Sequence, residues 1–289
     1  MDVTLGIIGG SGLYELPGLT GEWETVASPW GTPSDAVLRG TLDGTRIVFL
    51  PRHGRGHRID PTNIDYRANI DVMKRCGVTD LVSLSAVGSL KEDLAPGTFV
   101  IVDQFIDRTF AREKTFFGPG CVAHVSMAYP VSRALGDEVE RAARSIGVAC
   151  RRGGTYVAME GPQFSSLAES RLYRSWGADV IGMTNMPEAK LAREAEIAYV
   201  TVAMVTDYDS WHADHGEVDI QSIVKVMHEN GAAARALVAE VARAMPATRQ
   251  PYADGSDTAL EHAVITRPEA RDPALVAKLD AVAGRVLNR

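Results

Sequence analysis

A chain of 289 residues, 45% hydrophobic and 23% charged, can bury a full core, which excludes bulk disorder and favours one large domain over two. A formal charge of −7 without long Lys/Arg runs argues against a nucleic-acid partner, which needs a basic face, yet leaves room for a small anion held by local arginines. Three scattered cysteines, Cys76, Cys121 and Cys150, make neither a disulfide framework nor zinc-site spacing and fit a reducing cytoplasm.

In chain order, the opening Met1-Asp2-Val3-Thr4-Leu5 shows no basic segment followed by an apolar one, so no secretory signal is expected. Leu5-Gly6-Ile7-Ile8 reads as a buried strand, and 46–50, 81–85, 98–103, 179–183 and 197–206 read as further ones. The longest apolar stretch, 197–205, is far short of the roughly 20 residues that span a bilayer, so no membrane partner is expected. Helical segments alternate with the strands: 66–75 before Gly77, 132–145 before Gly147, 166–176 before Gly177, and one entered at Pro187 and running to about 196. Asp219 suits the N-cap of a long helix to Met245, interrupted or bent near Asn230-Gly231. Residues 248–257 read as an exposed connector, and 273–287 as a helix with Leu275, Leu279, Val282 and Val286 on one stripe that must bury against this subunit or a neighbour. The expectation is an α/β fold, a single domain whose central mixed, largely parallel sheet is flanked by helices.

Polar clusters follow the strands. In open α/β sheets, groups at the carboxyl ends of strands converge on one crevice. Gly9-Gly10-Ser11-Gly12 can cradle phosphate with backbone N–H groups and a hydroxyl, or serve only as a tight strand exit; it is neither a dinucleotide fingerprint nor a P-loop. Arg52-His53-Gly54-Arg55 offers an arginine fork and an imidazole for an oxyanion, against a solvated basic turn as the plainer alternative. Ser85-Ala86-Val87-Gly88-Ser89 adds hydroxyl and backbone donors, or simple turn chemistry. Thr184 lies where a strand enters a helix, a natural anion site, although helix capping is an alternative use of its hydroxyl. Thr206-Asp207-Tyr208-Asp209 places two carboxylates at i and i+2, on one side if the extended geometry persists, for a partner rich in N–H donors. The segment from Trp211 to His215 carries a minor metal reading, and Phe164 is either a stacking wall after Gly161-Pro162 or ordinary core packing.

Together with Tyr66-Arg67-Ala68-Asn69, Asp103 to Thr109, Glu160 to Ser166 and Gly182-Met183-Thr184, these clusters resemble, in order from about Leu5 to Met245, the 5'-methylthioadenosine phosphorylase branch of the purine nucleoside phosphorylase superfamily. The resemblance implies a catalytic domain over 1–245, with 246–289 as connector and amphipathic helix. It also implies reversible phosphorolysis of a purine nucleoside by inorganic phosphate in methionine and purine salvage, with no cofactor and no metal. By position, Ser11, Arg52, His53, Ser85, Ala86 and Thr184 would hold phosphate. Phe164 would pack on the base, Met183 under the ribose, and Asp207 and Asp209 would address adenine N7 and the 6-amino group. Ile220 and Ile223 would line a methylthio pocket, and His124 of a neighbour in a homotrimer would close the 5' end. A hydrolytic nucleosidase, a methylthioinosine enzyme and a non-catalytic sensor are the rival readings.

Overall fold

The computed structural model describes residues 1–10, 13, 16–212 and 220–288, with all their side chains except those of Ile220, Ser222, Ile223, Lys225 and Met227. Four strands form the centre: β1 (Leu5–Gly9), β4 (Thr45–Pro51), β5 (Asp80–Ser89) and β11 (Ala198–Asp207). They are nearly continuous apolar runs buried on both faces, as parallel strands covered by helices must be, and they pair in parallel in the order β4-β1-β5-β11. An antiparallel hairpin, β2 (Thr20–Glu24) and β3 (Val37–Leu42), extends the β4 edge. Short strands β6 (Phe99–Val102), β7 (Gln104–Asp107), β8 (Cys150–Arg152), β9 (Thr155–Ala158) and β10 (Val180–Gly182) complete a mixed 11-stranded sheet.

The strand β5 is where this sheet opens. Its one edge is paired with β11 from Asp80 to Gly88. On the other edge β1 pairs only Asp80 to Ser83, and β10 joins, antiparallel, only at Gly88 and Ser89. Leu84, Ser85, Ala86 and Val87 therefore face a crevice between β1 and β10, with no strand among the described residues covering that edge. This is the kind of gap in strand order at which α/β sheets bind ligands.

The helices flank both faces: α1 (Tyr66–Arg75), α2 (Arg133–Ser145), α3 (Leu167–Ser175), α4 (Asn185–Glu194) and α5 (Ile220–Ala244). Asp65 and Ser132 cap α1 and α2, and Ser166 with Glu169 forms a capping box on α3. One core packs α1 and α4 on the sheet, and the other packs α2 and α5. Among the described residues no helix is long and apolar enough to cross a membrane.

Three expectations change. The helix α5 is not interrupted at Asn230-Gly231, where Asn230 is buried and its Nδ2 donates to Val205 O at 3.2 Å; the expected N-cap, Asp219, lies outside the described residues. Residues 248–257 are exposed only in part: Thr248, Gln250, Pro251 and Ala253 are exposed, but the side chain of Arg249 is buried in an ion-pair network with Asp80 (3.0 Å) and Asp257 (2.7 Å). The terminal stripe is two helices, α6 (Pro273–Lys278) and α7 (Asp280–Leu287), broken at Leu279, which with Val282 enters the core beside α1 and α4 of this same chain.

Candidate active site

The crevice beside β5 starts with two hydroxyls. Ser85 Oγ and Thr184 Oγ1 lie 3.2 Å apart, and Tyr156 OH is 3.5 Å from Ser85 Oγ. Thr184 occupies the N-cap position of α4, yet its side chain caps nothing and turns to Ser85 instead, which removes capping as its use. Met186 is extended (φ −121°, ψ 131°), so the regular turns of α4 begin at Pro187 and leave N–H groups of this turn outside the helical ladder. Hydroxyls, strand backbone and a helix N-terminus together are groups of the kind that suit an anion.

Arg52 stands beneath this site rather than presenting its fork to it. The side chain is fully buried: Nε donates to Glu188 Oε2 at 2.9 Å, Nη1 to Leu84 O at 2.9 Å, and Nη2 to Ser83 Oγ at 2.5 Å and Glu188 Oε1 at 3.3 Å. Nη2 also lies 3.5 Å from Ile8 O, so that among the described residues four of the five guanidinium N–H groups are engaged and one on Nη1 is not. Glu188, one turn into α4, also accepts from Ser83 Oγ at 2.6 Å and Tyr199 OH at 2.9 Å. The pair thus ties the start of α4 to β4 and β5. His53 follows on the same turn, nearly buried and stacked on His57 with centroids 4.2 Å apart. Its Nδ1 lies 2.8 Å from Ile59 O, an acceptor, so Nδ1 carries the proton. Burial, then the Arg52 charge, hold its pKa down to about 4, so the ring is neutral at pH 7 and Nε2 carries a lone pair.

The acid pair lies at the far end of the same crevice. The pairing of β11 with β5 slips at Thr206, so that Asp207 faces Gly88, and the single hydroxyl proton of Thr206 lies between Asp207 Oδ2, 2.7 Å from Oγ1, and Val87 O, 3.1 Å from it. The extended geometry does not persist. Asp209 has φ 51° in a short 3-10 turn, and its own N–H donates to Asp207 Oδ1 at 2.7 Å. The turn, not strand alternation, brings the carboxylates together. A methyl group at Gly88 would lie 3.0 Å from Asp207 Oδ1 and 3.1 Å from Asp209 Cβ, so only a bare glycine lets both approach β5. Burial raises the pKa of Asp207 despite those two hydrogen bonds, and burial with the neighbouring Asp207 charge pushes Asp209 up to about 6. Asp209 Oδ2 is buried without a hydrogen-bond partner among the described residues.

Met183 adjoins Thr184 in the chain, and Phe164 precedes Ser165, whose carbonyl accepts from Ser210 Oγ at 2.7 Å beside the acid pair. Gly161 (φ 70°) approaches Met183 so closely that a Cβ there would lie 2.4 Å from its Sδ. Phe164 is 43% exposed, outside every core cluster, which removes ordinary packing as its reading. Arg112 and Glu160 support both segments. Arg112 was not singled out from the sequence, where it is one of several charges between Arg108 and Lys114; nor were Glu188 and Tyr156, and only their burial marks them.

Other expected residues fall elsewhere. Ser11 and the side chains of Ile220 and Ile223 lie outside the described residues. His124 is exposed, its backbone N–H bonded to Ala263 O at 2.9 Å. His212 Nε2 lies 3.3 Å from Glu92, and the rest of the minor metal reading falls outside the described residues. Among the described residues no cluster of three metal-ligating groups exists.

An anion site and a buried carboxyl pair in the β5 crevice of a mixed, helix-flanked sheet define the class. Residues 4–243 match the profile of the phosphorylase superfamily, and the chain belongs to that family. It is 62% identical to S-methyl-5'-thioadenosine phosphorylase of Rhodospirillum rubrum, over 98% of this chain and 97% of that one. The corresponding protein of Bradyrhizobium diazoefficiens is 64% identical over 98% of each. A crystal structure of methylthioadenosine phosphorylase from an antarctic soil metagenomic library superposes with a TM-score of 0.91 at 46% identity, covering 97% and 99% of the two chains. The methylthioadenosine phosphorylase of Schistosoma mansoni in complex with adenine gives 0.85 at 32% identity, over 91% and 99%.

Proposed function

We propose that the chain catalyses the reversible phosphorolysis of 5'-methylthioadenosine to adenine and 5-methylthio-D-ribose 1-phosphate, in methionine and purine salvage. The observation that carries this reading is the spacing along β5. Ser85 of the anion site and Gly88 under the acid pair are three residues apart, roughly 10 Å at strand rise. That is room for one nucleoside with phosphate at its C1'.

The chemistry follows from what each end supplies. The C1'–N9 bond breaks with its electrons going to the purine, and a carboxyl of the Asp207/Asp209 pair gives its proton to N7, making adenine a better leaving group. The two acids share their protons as a unit. The other carboxyl accepts from the 6-amino group, which a 6-oxo base cannot offer. A phosphate oxygen then bonds to the cation-like C1', needing alignment and charge stabilisation rather than covalent help. Ser85, Thr184, the Ala86 backbone and Ser11 hold the phosphate, with Arg52 reaching it through its remaining N–H. The lone pair on His53 Nε2 suits the protonated oxygen of HPO₄²⁻. Met183 lies under the ribose and Phe164 packs on the base. By the resemblance, the methylthio pocket is assigned to Ile220 and Ile223, and the closing of the 5' end to His124 from a neighbour in a homotrimer. The exposed Phe110, Leu167, Leu172 and Trp176 provide apolar surface for such an assembly. The free cysteines suit a cytoplasmic enzyme.

Adenine release from methylthioadenosine, adenosine and methylthioinosine, with and without phosphate, tests the reading. The expected result is phosphate-dependent turnover, best for methylthioadenosine. Release without phosphate would make it a nucleosidase, and binding without turnover a sensor.

A further inference from the structure

We infer that Arg112 is a positioning residue that holds the phosphate end and the base end of the site at a fixed spacing. Its side chain is 1% exposed, and its donors diverge to different walls of the crevice. Nη1 lies 2.6 Å from Met183 O and 2.7 Å from Met186 O, the two carbonyls that bracket Thr184-Asn185. Nη2 donates to Glu160 O at 2.8 Å and Nε to Glu160 Oε1 at 3.0 Å, immediately before the Gly161-Pro162-Gln163-Phe164 turn. Tyr66 OH, at 3.0 Å from Nη1, completes the set from α1.

The reason for an arginine is geometric. Because Met186 is extended, the turn that carries Thr184 lacks helical bonds of its own, and buried carbonyls there need donors from elsewhere. A planar guanidinium reaches two carbonyls on one side and a carboxylate on the other without changing rotamer, whereas an ammonium acts as one point. Glu160 balances the charge and spreads the hold: it accepts from the backbone N–H groups of Phe110 (2.6 Å) and Ala111 (3.2 Å) and from Thr62 Oγ1 (2.8 Å). The phosphate-binding turn and the aromatic wall are thus fastened to one buried cation that touches neither substrate.

This inference rests on the phosphorolytic reading, and the test separates the two. Wild-type enzyme is assayed first for phosphate-dependent adenine release; no such release defeats that reading whatever Arg112 does. Given wild-type turnover, Arg112→Lys, corrected for folded fraction and assayed well below its melting midpoint, should lose kcat by about 10²-fold, the scale of an ångström-sized misplacement. It should also raise KM for phosphate and for nucleoside together. Should that variant not fold, Glu160→Gln, which puts an amide N–H₂ among donors, should show the same joint rise in both KM values with a smaller loss of kcat. A variant with a lowered melting midpoint but both KM values and kcat within about twofold of wild type overturns the inference. So does an effect confined to one substrate.

Discussion

Asp207 and Asp209 differ in what surrounds them, and the difference assigns them testable behaviour. Asp207 has both oxygens engaged as acceptors, whereas Asp209 Oδ2 is buried with no hydrogen-bond partner among the described residues. Replacing Asp207 by Asn takes one carboxyl from the pair, so that protonation of N7 and acceptance from the 6-amino group can no longer both be served. Turnover of adenine nucleosides should fall by at least about 10²-fold, with a relative gain for 6-oxopurine nucleosides in competition assays. The raised pKa of Asp209 also marks the stability curve. The native state keeps its proton up to about pH 6 while the unfolded chain releases it near 3.8, so its contribution is full at low pH and fades as pH rises through that window. In urea unfolding, the advantage of wild type over Asp209→Asn should therefore shrink between pH 4 and 7. His53 works in the opposite sense, since its pKa is depressed, so only the difference between variants isolates Asp209.

Elements carry the next level of control. The register between β5 and β11 puts Asp80 opposite Ala198 at one end and Gly88 opposite Asp207 at the other, eight residues or roughly 26 Å apart. The Arg249 network at the Asp80 end therefore serves stability, not chemistry. Arg249→Met leaves two buried carboxylates unpaired and should cost about 3–5 kcal/mol by denaturant titration, with kcat of the folded fraction unchanged. In the turn between β9 and α3, Gly161→Ala adds a methyl against Met183 Sδ at a positive φ. It should raise the nucleoside KM while sparing that for phosphate. Much at this scale was legible beforehand: apolar runs disclosed β1, β4 and β11, and terminal glycines marked the ends of α1, α2 and α3. The strand β2 was not, because all five of its residues are exposed and nothing alternates. The extension of β5 from Ala86 to Ser89 was not either, since serine and glycine read as a turn until the distant β11, and β10 at the last two residues, supply the pairing.

Across the whole molecule, the terminal segment and the catalytic body behave as one unit, because Leu260, Ala263, Leu279 and Val282 join the core of α1 and α4. Assembly acts beyond that. Under the trimer proposal, sedimentation should give three copies, and dilution into monomers should cut activity. His124→Ala should weaken methylthioadenosine binding without moving the phosphate KM. Apolar lining at the 5' end should favour methylthioadenosine over adenosine by about 1–3 kcal/mol in kcat/KM, a preference rather than an exclusion.

By itself the sequence determined the alternation of strand and helix, the places where strands end, and which hydroxyls and carboxylates stand there, because periodicity and terminators act over a few residues. Tertiary structure decided how those groups are used. Arg52 meets Glu188 across 136 residues, and its fork turns inward. The aspartates converge through a turn and a bare Gly88, and Arg112 joins two walls that have no proximity in the chain. Buried charges take the partners that desolvation demands, and those partners come from wherever the fold brings them.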